Sequence, residues 1–201
     1  MFKILLYSLF LLFGESKNDF SKLKDGDIIF QISKSKQSEA IQLATHSKYS
    51  HVGIVFIEKG KPYVYEAAGK VKWTKLKKFI KNGKKKHFVV KRLKNAEKIL
   101  TPPVIEKMKK AAGKYDKLDY DIYFEWNDEK IYCSELVWKI YHEILNIEIG
   151  DLKQFKDYDF THPVVKVKLK ERFGDNLPED ETVISPASMF DSNLLETIME
   201  N

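Results

Sequence analysis

One cysteine, Cys133, stands among 201 residues, so no disulfide within the chain can staple the fold. The five histidines (His46, His51, His87, His142 and His162) are scattered, and none combines with the cysteine at a spacing suited to zinc. Glycine-rich phosphate loops are missing too. The apolar run Ile4 to Phe13 is ten residues, short of the roughly twenty that span a bilayer. The lysine-rich stretch 75–86 has no interleaved arginine. It therefore reads as a solvated face, and no nucleic-acid partner is expected. These absences exclude a disulfide scaffold, a zinc module and a phosphate-loop enzyme.

What is present is enough for a core. With 43% hydrophobic and 13% aromatic residues, the chain is expected to fold. At this length one domain is the default, and no internal repeat or linker divides residues 17–201. Lys3, the apolar run and the small residues Gly14 and Ser16 resemble an export signal. Residues 1–16 are thus expected to be a signal peptide or a retained N-terminal anchor. Either implies an exported protein, periplasmic or secreted, with membrane or envelope association through this segment.

The cysteine lies where an irregular acidic stretch gives way to a patterned helix. Leu136, Val137, Ile140, Ile144 and Leu145 recur at spacings of three and four, one face of an amphipathic helix that ends near Asn146. Cys133 falls at its N-terminus, where free backbone N–H groups and the helix dipole favour an anion. A thiol there loses its proton readily and becomes nucleophilic. Position alone leaves open the alternative of a small buried hydrophobe. Glu135, on the first turn, reads as a capping charge.

A second pattern precedes it. Ser47 to Ile57 is rich in β-branched residues and reads as a strand; Lys59 to Pro62 is a turn, and Tyr63 to Ala68 the returning arm. His51 lies nine residues before Gly60 and Glu66 six after it. A slightly skewed or bulged register would bring them together across the strands. A carboxylate beside an imidazole orients the ring and favours its charged form. His142 sits on the cysteine helix but roughly 13 Å along it at 1.5 Å per residue, too far to serve as base.

Elsewhere, Ile28 to Ile32 predicts a first strand and Ser38 to Thr45 a short helix capped by Ser35 or Ser38. Lys72 to Ile80 reads as a short helix or loop, and Lys86 to Leu93 as a strand. Pro102-Pro103 opens a helix that Gly113 closes. His162 to Leu169 alternates like a late strand, and Ile184 to Phe190 begins a terminal helical turn.

Five landmarks in this order resemble the permuted branch of the NlpC/papain-like superfamily, specifically the YiiX-like amidohydrolases. They are Leu23 to Phe30, Thr45 to Ile54, Val64 to Ala67, Tyr132 to Val137 and Ile184 to Pro186. The resemblance implies an α+β, papain-like, circularly permuted fold. An antiparallel sheet or small barrel would pack against helices, with the cysteine at a helix N-terminus. It also implies a thiol hydrolase triad: Cys133 the nucleophile, His51 the base and Glu66 the residue that orients the ring. Tyr132, Ser134, Ser50 and Tyr120 are supporting candidates, and Tyr115 competes with Tyr120 for the family's tyrosine before the cysteine. The expected reaction is cleavage of an amide in a peptide, a cell-wall fragment or a lipid-like substrate. It needs no metal or organic cofactor. A thiol-dependent lipid acyl hydrolase or transferase, and a non-catalytic binding module on the same scaffold, are the alternatives.

Overall fold

The computed structural model describes residues 19–201; the expected export segment lies outside them. The chain runs β1 (Asp27–Ser33), α1 (Ser38–Thr45), β2 (His51–Glu58), β3 (Lys61–Ala68), β4 (Lys70–Lys75), α2 (Leu76–Asn82) and β5 (Gly83–Leu93). It continues through α3 (Ala96–Ile99), α4 (Pro102–Gly113), α5 (Cys133–Leu145), β6 (Lys153–Gln154), α6 (Pro163–Phe173), β7 (Thr182–Val183), α7 (Pro186–Asp191) and β8 (Leu195–Glu200). Six strands make one antiparallel sheet in the order β4-β3-β2-β1-β5-β8. β6 and β7 form a separate small ribbon.

Both faces of this sheet are covered, which explains why Ile28-Ile29-Phe30 is apolar without alternation. Ile28 and Phe30 enter the main core with Val52, Ile54, Tyr65 and the inner face of α5. Ile29 points the other way, into a cluster with Val55, Val64, Phe79 and Phe88 beneath α2. In α5, Leu136, Val137, Ile140 and Tyr141 are wholly buried. Burying each contributes roughly 1.5–3 kcal/mol, so packing rather than propensity holds this helix in place. Glu135 accepts the N–H of Tyr132 at its start (3.3 Å). Asn146 closes it in the left-handed conformation, φ 53°.

Three expectations are corrected. Residues 70–75 extend the sheet as β4, and the helix begins only at Leu76. Neither Ser35 nor Ser38 caps α1: Gln37 is the N-cap, and the Ser38 hydroxyl instead meets Ser50 Oγ at 2.6 Å. The stretch after His162 is helix α6, not a strand. Pro163 fits the first helical position and the His162 ring accepts the N–H of Val164. The valine alternation therefore wraps around a helix and leaves Val167 65% exposed. β8, unexpected from sequence, completes the edge beside β5.

Candidate active site

The β2–β3 hairpin is joined by a tight turn at Lys59-Gly60, and Ile54 stands opposite Tyr65. In that register Gly53 faces Glu66, so His51 lies diagonal to Glu66 on the same face. This offset is the skewed pairing that the sequence suggests, and β2 and β3 pair without a bulge. A side chain at position 53 would meet Val64 Cγ1 at 2.6 Å and the Tyr65 carbonyl at 2.8 Å. Glycine there lets the two strands close. His51 Nε2 and Glu66 Oε2 are 2.6 Å apart, both residues buried. Phe79 stacks on the imidazole from below, with centroids 5.6 Å apart.

The N-terminus of α5 arrives at the start of β2. Cys133 Sγ stands beside the His51 ring and the backbone N–H groups of Val52 and Ser134. With Nε2 occupied by Glu66, Nδ1 is the nitrogen left for the thiol. Burial alone would raise the Cys133 pKa, but the imidazole and the two N–H groups outweigh it and hold the thiol below its ordinary value. Burial likewise opposes charge on His51, yet the thiolate and the Glu66 carboxylate push the imidazolium up to about 10. Glu66 is also desolvated, and the His51 charge still keeps its carboxyl below the usual value, aided by Thr74 and Lys72. The three groups therefore favour a thiolate–imidazolium pair flanked by a carboxylate.

Tyr120 is the tyrosine beside this cluster. Its N–H bonds the Gly69 carbonyl (2.9 Å) and it bridges to Ile131, which ties it to the β3–β4 turn and to the approach to α5. Its hydroxyl accepts from Gln37 Nε2 at 2.9 Å, and Cys133 is its neighbour. Burial and the neighbouring thiolate raise its pKa, so it stays protonated and can donate. Tyr115 lies instead in the main core with residues of α4.

The other supporting candidates fix the frame. Tyr132 Oη accepts the N–H of Ile184 (3.1 Å) and Ser134 Oγ donates to the Ile184 carbonyl (2.7 Å). The two residues flanking Cys133 thus take both backbone groups of Ile184, which accounts for the Ile184-Ser185-Pro186 landmark. Ser50 Oγ accepts the N–H of Ser33 at 2.9 Å, tying the residue before His51 to the end of β1. Away from the cluster, the exposed His46 side chain pairs with Asp159 (3.1 Å), and His142 stacks on Trp138. Glu135 does cap α5, but it is wholly buried beside Lys139 (2.8 Å), and burial raises its carboxyl to about 7.

Two residues escaped the sequence reading. Arg172 of α6 donates to Gln37 Oε1 (2.9 Å), and Gln37 in turn holds Tyr120. They are 135 positions apart, and no local pattern marks either.

Residues 22–199 match the model of the permuted papain-like amidases, YaeF/YiiX, the C92 family. The chain is 47% identical over 173 residues to the uncharacterized protein YiiX of Escherichia coli K12, covering 86% of this chain and 84% of that protein. It also resembles the crystal structure of YiiX from Escherichia coli O157:H7. The TM-score is 0.85 at 46% identity, over 90% of this chain and 98% of the other. That protein is described as a metalloprotein. Among the described residues of this chain, no group of three or more His, Cys, Asp or Glu side chains is arranged to hold a metal ion. The chain belongs to the permuted papain-like amidases of the YaeF/YiiX family, and is a cysteine-type amide hydrolase.

Proposed function

We propose that Cys133, His51 and Glu66 form the catalytic triad of this amidase and that the reaction passes through a thioacyl intermediate. The observation that carries the reading is one imidazole shared between a buried carboxylate at 2.6 Å and a thiol at a helix N-terminus. The thiolate attacks the amide carbonyl carbon. The oxyanion that forms is met by the Tyr120 hydroxyl and by backbone N–H groups at the start of α5. The His51 imidazolium gives its proton to the departing nitrogen, the C–N bond breaks, and an acyl-thioester remains on Cys133. Water then loses a proton to His51 and attacks the thioester. The carboxylic acid leaves and the thiolate returns. Glu66 holds the ring and its charge throughout, as in any acyl-transfer triad.

A second reading keeps this chemistry and places the acyl group on a lipid ester or an acyl acceptor. The apolar walls around Cys133 favour it. Product analysis separates the two: free acid and amine, or an acyl chain on a new acceptor. In either case residues 1–16 would deliver the enzyme to the envelope, where amide-bearing peptides, wall fragments and lipids are found.

The test is the pH dependence of alkylation at the single thiol. A midpoint well below the ordinary thiol value of about 8.5 is expected. Turnover should rise with pH as the thiolate forms and fall as His51 loses its proton near 10. A thiol that reacts only after unfolding overturns the reading.

A further inference from the structure

Charge is segregated in this chain. Residues 67–96 hold twelve of its 35 Lys and Arg and none of its 29 Asp and Glu, so the remainder is net acidic. Within that stretch α2 crosses one face of the sheet from β4 to β5. It turns Leu76, Phe79 and Ile80 inward onto the second apolar cluster. Its Lys77, Lys78 and Lys81 are left exposed, as are Lys75 before it and Lys84, Lys85 and Lys86 after it. Between the pairs Gln31–Phe88 and Ser33–Gly83, β1 has one residue and β5 has four, Lys84 to His87. The extra residues bulge out, with Lys85 and Lys86 in the left-handed conformation (φ 55° and 60°). Lysine takes that conformation at a cost, so the bulge holds charge outward against local preference. Lys70 pairs with Asp119, and Glu200 of β8 meets Lys48 and His87. Among the described residues, none of the lysines from Lys75 to Lys86 is in an ion pair.

Two features beside this face say what it meets. The chain enters it at Phe20, which packs on the same apolar cluster and against Phe88 (centroids 6.1 Å). Six residues separate Phe20 from the apolar run Ile4 to Phe13, a reach of at most about 25 Å. That run is too short to span a bilayer. One short apolar segment holds a membrane only weakly unless a polybasic patch adds to it. A soluble polyanion would gain nothing from the apolar run. At its other end the basic face reaches the active site. Lys81, with Lys34 and Lys36, lines the cavity on which His51 and Glu66 open, separate from the apolar one lined by Cys133. Phe79, on the inner side of α2, is the residue stacked on His51. We infer that α2 and the β5 bulge dock the enzyme on an anionic phospholipid bilayer, lysines against the headgroups, with the His51 cavity beside the surface. The inference uses no property of the thiol, so it stands or falls apart from the triad.

The test is sedimentation of the full chain with phosphatidylcholine vesicles made with and without phosphatidylglycerol. The anionic vesicles should bind more tightly, and added salt should weaken that binding. A lysine near an anionic surface contributes about fivefold, so Lys78→Gln/Lys81→Gln/Lys85→Gln should weaken it about 100-fold. Lys98→Gln/Lys107→Gln/Lys110→Gln removes the same charge from α3 and α4, which pack into the main core on the other face. That variant should bind within about twofold of wild type, because its lysines lie beyond the reach of the docked headgroups. All six positions are exposed, and the melting temperature reports that both variants stay folded. Equal binding to the two vesicles, or none to either, overturns the inference; the first result leaves the apolar run as the sole attachment. Equal losses in the two triple variants also overturn it, by making net charge rather than this face the cause. Polyphosphate bound more tightly than anionic vesicles, at equal concentration of negative charge, replaces the bilayer with a soluble polyanion.

Discussion

Two buried carboxylates anchor two charged clusters in the same sheet, and only one belongs to the candidate active site. Asp27, at the start of β1, is fully buried and gripped by Arg92 at 2.6 and 2.8 Å, with the Lys24 N–H as a third donor at 2.8 Å. Glu66 has one short contact, to His51. For Asp27, burial wins and its pKa rises despite the guanidinium. For Glu66 the imidazolium wins and its pKa falls. The first pair is a clasp between β1 and β5, since Arg92 cannot give up its proton. In the second pair the cation can lose its proton, and a thiol and two cavities lie beside it. A buried ion pair alone is weak grounds for function. A partner that can change charge next to open volume is much stronger.

The largest effect expected breaks the comparison outright. Cys133→Ala should lower turnover by about 10⁴-fold or more with the melting temperature nearly unchanged; residual activity near wild type would reduce the His51 cluster to another clasp. Next, Arg92→Met strands Asp27 without its partner. Urea unfolding should register a loss of about 3–5 kcal/mol, while the alkylation midpoint of Cys133 stays where it was. A shifted midpoint would mean that the two clusters are coupled through the sheet.

Glu66→Gln sharpens the difference between them. Removing the carboxylate disfavours the imidazolium, so the His51 pKa should drop by about 1 unit or more. The alkaline limb of the pH–rate profile then moves to lower pH, and the thiol midpoint rises. An unchanged profile would show that Glu66 has no hold on the ring. The smallest effect should come from Gln37→Ala, which frees Tyr120 and Arg172. A lost hydrogen bond of about 0.5–1.5 kcal/mol corresponds to a two- to tenfold fall in turnover. No change in rate would leave the Arg172–Gln37–Tyr120 line as packing only.

The pairing of His51 with Glu66 was legible because a hairpin is local: a short turn couples the two strands, and period-two alternation decides which side chains share a face. Helix α5 was legible from its apolar spacing and from Asn146, and Pro102 and Gly113 bounded α4. Where local signals conflicted, tertiary context prevailed. The alternation after His162 resembled a strand, yet Pro163 and the His162 cap start a helix that buries only Val165 fully. The polar sequence of β8 carries little strand signal because its pairing with β5 joins residues about a hundred positions apart.

The sequence by itself determined the cysteine helix, the histidine hairpin and the family, since each is written in short-range spacing or in ordered landmarks. Only the tertiary structure decided that Tyr120 rather than Tyr115 stands at the thiol, that Gln37 and Arg172 support it, and that Cys133 and His51 line two different cavities. Those walls are assembled from α1, α6 and loops distant in sequence. Surroundings built by long-range packing leave no periodic trace in the chain that folds to make them.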